Sequence, residues 1–298
     1  MDARQLQYFL AIVDHGTVHR AAEELFVAQP SVSQTLRSLE RDLGSPLFHR
    51  TGRRLILTPS GEQLIEPARQ VIRSLELARA KVEAVDGLRA GRLVLAAMPS
   101  QAVSPLSDMI SQFSRRYPLV QVSVRAAGTP GEVESQLRTA DVELGLVAFP
   151  GSIPPLDGIV VLPVETQRFI LVAAPDTQLP DADPLIPASL TGQRLIVGQK
   201  GTGMRRAADR ILAAAPGSRA VVEIEHREAV LPLVLNGVGA AVLSESWQHL
   251  ARSAGAVVRE LDYDEDLHVC LLHPTGQLSP AAEAFLTTTS ISADSTPD

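Results

Sequence analysis

Thr17-Val-His-Arg-Ala-Ala-Glu-Glu-Leu-Phe-Val-Ala-Gln-Pro-Ser-Val-Ser-Gln-Thr-Leu-Arg-Ser-Leu-Glu-Arg-Asp-Leu43 is the stretch whose reading decides the fold. Ala21, Ala22 and Leu25 predict a short helix with small residues where another helix must approach closely. Val32, Leu36, Leu39 and Leu43 predict a second helix after a tight turn. Thr17, after Gly16, is the expected N-cap of the first, and Pro30 suits the opening turn of the second. Upstream, Leu6, Phe9, Leu10 and Val13 recur at i, i+3, i+4, i+7 and predict a preceding helix with one apolar face. The second helix of the pair opens on small or amide side chains, Gln29, Pro30, Ser31, Ser33 and Gln34, instead of apolar ones. That is the end of a helix-turn-helix that meets base edges in the major groove, and Arg37 extends the same polar surface.

Working outward, Phe48-His-Arg-Thr-Gly-Arg-Arg-Leu-Ile-Leu-Thr-Pro59 alternates Leu55 and Leu57 with polar neighbours beyond a turn at Gly52. This predicts a small hairpin, or wing, carrying Arg50, Arg53 and Arg54. Clustered arginines on such a turn suit phosphate contacts or insertion into a minor groove, the alternative being a solvated charged loop.

Residues 1–65 resemble the winged helix-turn-helix of the LysR-type transcriptional regulators. The resemblance rests on Leu6-x-x-Phe9, Gly16-Thr17, Ala21-Ala22-x-x-Leu25, Ala28-Gln29-Pro30-Ser31-Val32-Ser33, Leu39-Glu40-x-x-Leu43-Gly44, Leu47-Phe48-x-Arg50 and Thr58-Pro59-x-Gly61. His19 departs from the small polar residue or Thr that the family usually carries there.

The composition is compatible with this reading only when it is divided. Over 298 residues the net charge is −7, which by itself argues against a nucleic-acid partner. Residues 1–90, however, hold 12 basic against 11 acidic residues, leaving 15 against 23 for the remainder. Within 31–54 there are five arginines against two acids, so the local field is positive where DNA would lie. The length suggests about two domains. The single cysteine, Cys270, is read as a small apolar residue of a buried strand, with a redox-sensing thiol as the alternative. No segment has the ~18 consecutive apolar residues of a membrane span and no apolar signal segment opens the chain, so a cytoplasmic location is expected.

After the wing, Thr58 and Pro59 read as the start of a long helix. Leu64, Ala68, Val71, Leu75, Ala78, Val82 and Val85 alternate spacings of four and three, an apolar heptad seam. Its expected partner is the same helix of a second subunit, with Leu64, Val71, Leu75 and Val82 as dimer contacts; packing on the chain's own domain is the alternative. Pro67 should bend this helix near Gln63. Gly87-Leu-Arg-Ala-Gly91 reads as a hinge. Strand and helix patterns then alternate, with helices expected at Val103–Tyr117, Glu132–Thr139, Met204–Ala215 and Glu228–Asn236, and a late strand at Leu267–Leu272. That alternation argues an α/β domain with a largely parallel sheet.

The expected organisation is therefore an all-α winged helix-turn-helix domain at 1–58 followed by a linker, dimerisation helix at 59–87. A hinge at 88–91 leads to an α/β effector-binding domain at 92–298. Subdomain I would take about 92–161 and 266–290, subdomain II about 162–265, and Ser290–Asp298 would lack regular structure. Two Rossmann-like halves with a late return strand resemble the family's effector domain, itself similar to periplasmic solute-binding proteins. Asn236-Gly237-Val-Gly239 matches the family there, while Glu143 stands where an aspartate is usual.

Ligands of α/β sheets bind where strands end and helix N-termini begin. Three such junctions stand out: Met98-Pro-Ser-Gln101, Gly128-Thr-Pro130 and Gln199-Lys-Gly-Thr-Gly203. By resemblance, Ser100, Thr129 and Thr202 match cleft positions that hold small carboxylates, through their hydroxyls and adjacent amides including those at Gln101 and Gly203. Phe149 is expected to floor the pocket. The alternative for each hydroxyl is an ordinary N-cap. Gly201-x-Gly203 lacks the third glycine of a dinucleotide fingerprint, the histidines lack metal-ligand spacing, and no Ser/His/Asp set can be defended. No cofactor, no metal and no catalytic residue are expected, and the chain is read as a regulator and not an enzyme. The resemblance implies double-stranded DNA and a small-molecule effector as partners, a homodimer or homotetramer, and RNA polymerase as a further partner. The competing readings are a DNA-binding architectural protein with a ligand-free α/β domain and a fusion to a catalytic one.

Overall fold

A computed structural model describes residues 1–51, 54–85 and 87–289, the side chains of Arg50, Thr51 and Arg54 excepted. Gly52, Arg53, Asp86 and the terminal stretch Ser290–Asp298 lie outside the described residues. The chain divides into two compact units, one made mainly of Met1–Leu88 and the other of most of the chain from Arg89 onward.

In the first unit α1 (Ala3–His15), α2 (Val18–Glu24) and α3 (Gln29–Leu43) precede a hairpin of β1 (Phe48–Thr51) and β2 (Arg54–Leu57), then α4 (Pro59–Glu83). Each helix start has a local cause. Asp2 caps α1 in a reciprocal capping box with Gln5. Thr17 caps α2 by accepting from the Arg20 N–H at 3.2 Å. Thr58 caps α4 by accepting from the Gly61 N–H at 3.0 Å, and its own hydroxyl donates to the Pro46 carbonyl at 2.7 Å. Ala21 and Ala22, both buried, let α2 lie against α1, and Phe9, Ile12, Val32 and Leu39 fill the core. The hairpin is antiparallel, pairing Phe48 with Leu57 and Thr51 with Arg54. Glu40 ties it to α3, its Oε1 accepting from the Leu47 N–H at 2.9 Å.

Helix α4 runs through Pro67 as one element of 25 residues. Its first half belongs to the domain: Ala68 is buried, and Leu64, Ile65 and Ile72 pack against the core. Leu64, expected as a dimer contact, is half-buried and packs against this core. From Val71 onward the seam is exposed: Val71 by 43%, Leu75 by 42% and Val82 by 73%.

The second unit holds two five-stranded sheets. The first is built from β3 (Gly91–Ala97), β4 (Val120–Ala126), β5 (Leu144–Pro150), β6 (Ile159–Gln167) and, much later in the chain, β12 (Leu267–Pro274), in the spatial order β4-β3-β5-β12-β6. The three strands β4, β3 and β5 are parallel, and β12 returns antiparallel between β5 and β6. α5 (Pro99–Val103), α6 (Leu106–Arg116) and α7 (Pro130–Arg138) connect its parallel strands. The second sheet runs β11-β7-β10-β8-β9, from β7 (Phe169–Ala173), β8 (Arg194–Val197), β9 (Arg219–Glu223), β10 (Ala240–Ser244) and β11 (Val257–Glu260). It is accompanied by α8 (Gly203–Ala214), α9 (Val230–Leu235) and α10 (Gln248–Ser253), and α11 (Pro280–Thr288) ends the described chain.

Two helices differ from the expected spans because of proline. The helix expected at Val103–Tyr117 starts only at Leu106, as α6, since Pro105 has no N–H and holds Ser104 extended at φ −155° and ψ 135°, while Val103 ends α5. The helix expected at Glu228–Asn236, which contains Pro232, is a 3₁₀ turn, Arg227–Ala229, followed by the short α9.

Candidate functional site

In the first unit the start of α3 presents the polar residues expected to meet DNA. Gln29, Pro30, Gln34 and Arg37 are exposed and Ser31 and Ser33 half-buried, while Val32, Leu36 and Leu39 point into the core. Gln29, Ser33 and Arg37 lie four residues apart, so they form one stripe along the helix. Ser33 and Arg37 also line a groove of about 340 Å³ whose other wall is Phe48 and Leu55 of the hairpin. The backbone places Arg50 opposite Leu55 and Arg54 opposite Thr51 at the hairpin's far end. His19, exposed on α2, lies 3.5 Å from Glu23.

In the second unit Ser100, Gln101, Thr129, Thr202 and Gly203 line a single cavity of about 70 Å³. Phe149 does not. Successive residues of a strand face opposite sides of the sheet, so Ala148 and Pro150 reach the cavity while Phe149 packs on the other side with Ala96, Ala127 and Val133.

The polar atoms around this cavity are unevenly committed. The Thr129 hydroxyl accepts from the Glu132 N–H at 3.2 Å and donates to the Glu132 carboxylate at 3.3 Å, and that carboxylate also takes the Gly128 N–H at 2.8 Å. The amide expected to hold an anion there already holds one from the chain. Thr202 is likewise a cap, accepting from the Arg205 N–H at 3.3 Å and donating to the Gln199 carbonyl at 2.9 Å.

Ser100 differs. It is 2% exposed, and its oxygen accepts from the Trp247 indole N–H at 3.1 Å and from the Arg227 guanidinium at 3.3 Å. Its own hydroxyl donates to the Met204 sulfur at 4.0 Å, which also takes the Arg227 guanidinium at 3.0 Å. Burial alone pushes the Arg227 guanidinium down to about 10, leaving it charged at neutral pH. Its neighbours in the second unit are paired: Arg205 with Asp209 and Glu223, Arg206 with Glu265, Arg210 with Asp264. Among the described residues Arg227 has no carboxylate within ion-pair distance.

Neither Arg227 nor Trp247 was legible as a site residue. Arg227 sits in Glu225-His-Arg-Glu228, which reads as a solvated charged run, and only its placement beside Ser100 gives it a role. A larger recess of about 640 Å³ is lined by Asp108, Glu165, Glu245 and His249, an acidic wall without a buried cation. Cys270, fully buried in β12, has its thiol pushed up to about 11 by burial, which keeps it protonated and unreactive at neutral pH. Among the described residues no cluster of His, Cys, Asp or Glu could hold a metal ion, and no helix is long and apolar enough to cross a membrane.

Residues 3–62 match the bacterial regulatory helix-turn-helix protein, lysR family, and residues 86–290 match the LysR substrate binding domain. Among similar proteins, the regulator ClcR of Pseudomonas putida is 27% identical over 250 residues, covering 83% of each chain. The RuBisCO operon transcriptional regulator of Allochromatium vinosum is 28% identical over 95% of this chain and 93% of its own. Of solved structures, a cysteine-to-aspartate variant of full-length OxyR from Pseudomonas aeruginosa superposes with a TM-score of 0.74 at 20% identity, covering 100% of this chain and 99% of that one. Full-length CbnR, solved in complex with its target DNA, gives 0.67 at 20% identity over 97% and 99%.

Proposed function

The chain belongs to the LysR family of DNA-binding transcriptional regulators with a substrate-binding domain, and on that premise we propose how its own residues divide the work. Gln29 and Ser33 read bases, with Pro30, Ser31 and Gln34 shaping that contact. Arg37, Arg50, Arg53 and Arg54 hold the phosphate backbone on either side of it. The small-molecule effector occupies the cavity at Ser100, Gln101, Thr129, Thr202 and Gly203. The observation that carries this reading is the convergence on one cavity of three chain segments more than 100 residues apart at their extremes, each at the end of a strand. An architectural protein with a ligand-free domain would have no use for a half-buried cation without a carboxylate partner facing such a space.

The protein acts without catalysing a reaction, in the cytoplasm, as a homodimer or homotetramer joined through Leu64, Val71, Leu75 and Val82, and communicates with RNA polymerase from the operator. An effector can shift regulation only if it binds two conformations with different affinity. The test is effector titration in an operator-binding assay, with candidate metabolites first selected by the thermal stabilisation they confer. Ser100→Ala combined with Thr129→Val is expected to raise the half-effective concentration at least tenfold. A wild-type response from the double variant would move the sensor out of this cavity.

A further inference from the structure

Donors crowd around Ser100: an indole N–H, a guanidinium and a hydroxyl proton meet there, and among the described residues their acceptors are the serine oxygen itself and a thioether sulfur. A thioether is a weak acceptor and a guanidinium carries no acceptor at all. Arg227 is half-buried and, among the described residues, has no carboxylate within ion-pair distance, so its charge is free to meet an anion in the cavity. Arg227 is the one formally charged side chain lining the cavity among the described residues; the remaining wall includes Met98, Ala148, Pro150, Met204 and Leu267. Where Gly128 and Thr129 line the cavity, Glu132 occupies the Gly128 amide, so a second negative charge on a ligand would be repelled there.

Resting on the reading of this cavity as the effector site, we propose that Arg227 is its charge anchor and that the molecule sensed is a small monocarboxylate with a short apolar body. Its carboxylate docks between the Arg227 guanidinium, the Ser100 hydroxyl and the Trp247 indole N–H. Its apolar part lies against Met98, Met204 and Leu267. The two threonines, committed to capping, shape the rim.

Trp247 is the only tryptophan of the chain, so its emission reports directly on this cluster. The full-length protein is titrated at constant ionic strength with acetate, butyrate and cyclohexanecarboxylate, and in parallel with the corresponding amides. At least one carboxylate is expected to shift the emission saturably, while its amide, nearly identical in shape, gives no shift at tenfold higher concentration. Arg227→Gln should weaken the carboxylate at least tenfold and Arg227→Lys less. In the absence of ligand Arg227→Gln should melt at the same temperature as wild type, because the half-buried guanidinium has no carboxylate partner to lose; a merely structural arginine would melt lower.

Three results would overturn the proposal: equal carboxylate affinity in wild type and Arg227→Gln, amides that bind as well as acids, or no saturable response to any carboxylate. The broader reading fails separately. An amide response lost in Ser100→Ala would leave the cavity as the sensor with the wrong ligand class, whereas a carboxylate response that survives both Ser100→Ala and Arg227→Gln would remove the sensor from this cavity.

Discussion

Gln29 and Phe26 lie three residues apart at the turn into α3, and each is exposed for a different reason. Gln29 stands on the surface at the first residue of the helix, where an amide can make a bidentate contact with a base edge. Gln29→Ala is expected to cost ~1–3 kcal/mol at one base position and little at the others; binding to a set of single-base operator variants checks this, and an equal loss on every variant would reject base reading. Phe26 is 94% exposed with φ at +52°, a left-handed conformation that side chains other than glycine and asparagine adopt at a cost. Phe26→Asn should therefore stabilise the free protein by about 1 kcal/mol, visible as a higher urea midpoint, unless the ring has a packing role that its exposure denies. Gln29 and Ser100 were readable as functional candidates because small polar residues interrupt an apolar pattern at an element's start. Arg227 and Trp247 were not, because they reach Ser100 from 127 and 147 residues away and leave no local pattern. Phe149 was misread because six successive residues of β5 are buried, so hydrophobicity alone does not say which of them face the cavity.

The elements were legible wherever a single face is buried. The α3 and α4 periodicities, the caps of α2 at Thr17 and of α4 at Thr58, and the short hairpin all follow from local chemistry. Strand β6 escaped notice because it contains Pro163 and ends in Glu165-Thr-Gln167. It is tolerated because β6 is the edge strand of its sheet, where a missing N–H breaks no ladder, and its pairing with β12 shifts register beside that proline. It also crosses residue 161, where the sequence pattern restarts, and carries the first sheet on to Gln167. In α4 the seam changes partners along its length, from the domain's own core at Leu64 and Ala68 to exposed Val71, Leu75 and Val82. Leu75→Asp should yield monomers in sedimentation and lose operator binding, because one winged domain alone makes few contacts. An unchanged oligomer would place the subunit contact elsewhere.

At the scale of the whole molecule, two compact units with separate cores are expected to unfold separately. Trp247 lies in the second unit, so heating followed by tryptophan emission should report that unit alone, while far-UV circular dichroism reports both. Non-coincident transitions are the expected result, and a saturating effector should move only the emission transition; coincident melting would show one cooperative molecule. The amino-acid sequence by itself determined the winged helix-turn-helix, the long seam that follows it and the alternation of strand and helix beyond, because each is a periodic pattern of one residue's immediate neighbours. It also determined that the basic charge is concentrated at the front. Tertiary structure alone decided which strands share a sheet, which side of β5 faces the cavity, that two threonines are committed to capping, and that an arginine in a charged run is held against Ser100 without a counter-ion. The sheet pairings of the second unit and the Arg227–Ser100 contact join residues tens of positions apart and as many as 127, and no local periodicity encodes such a distance; the threonine caps are local, but their sequence equally allowed hydroxyls free to hold a ligand.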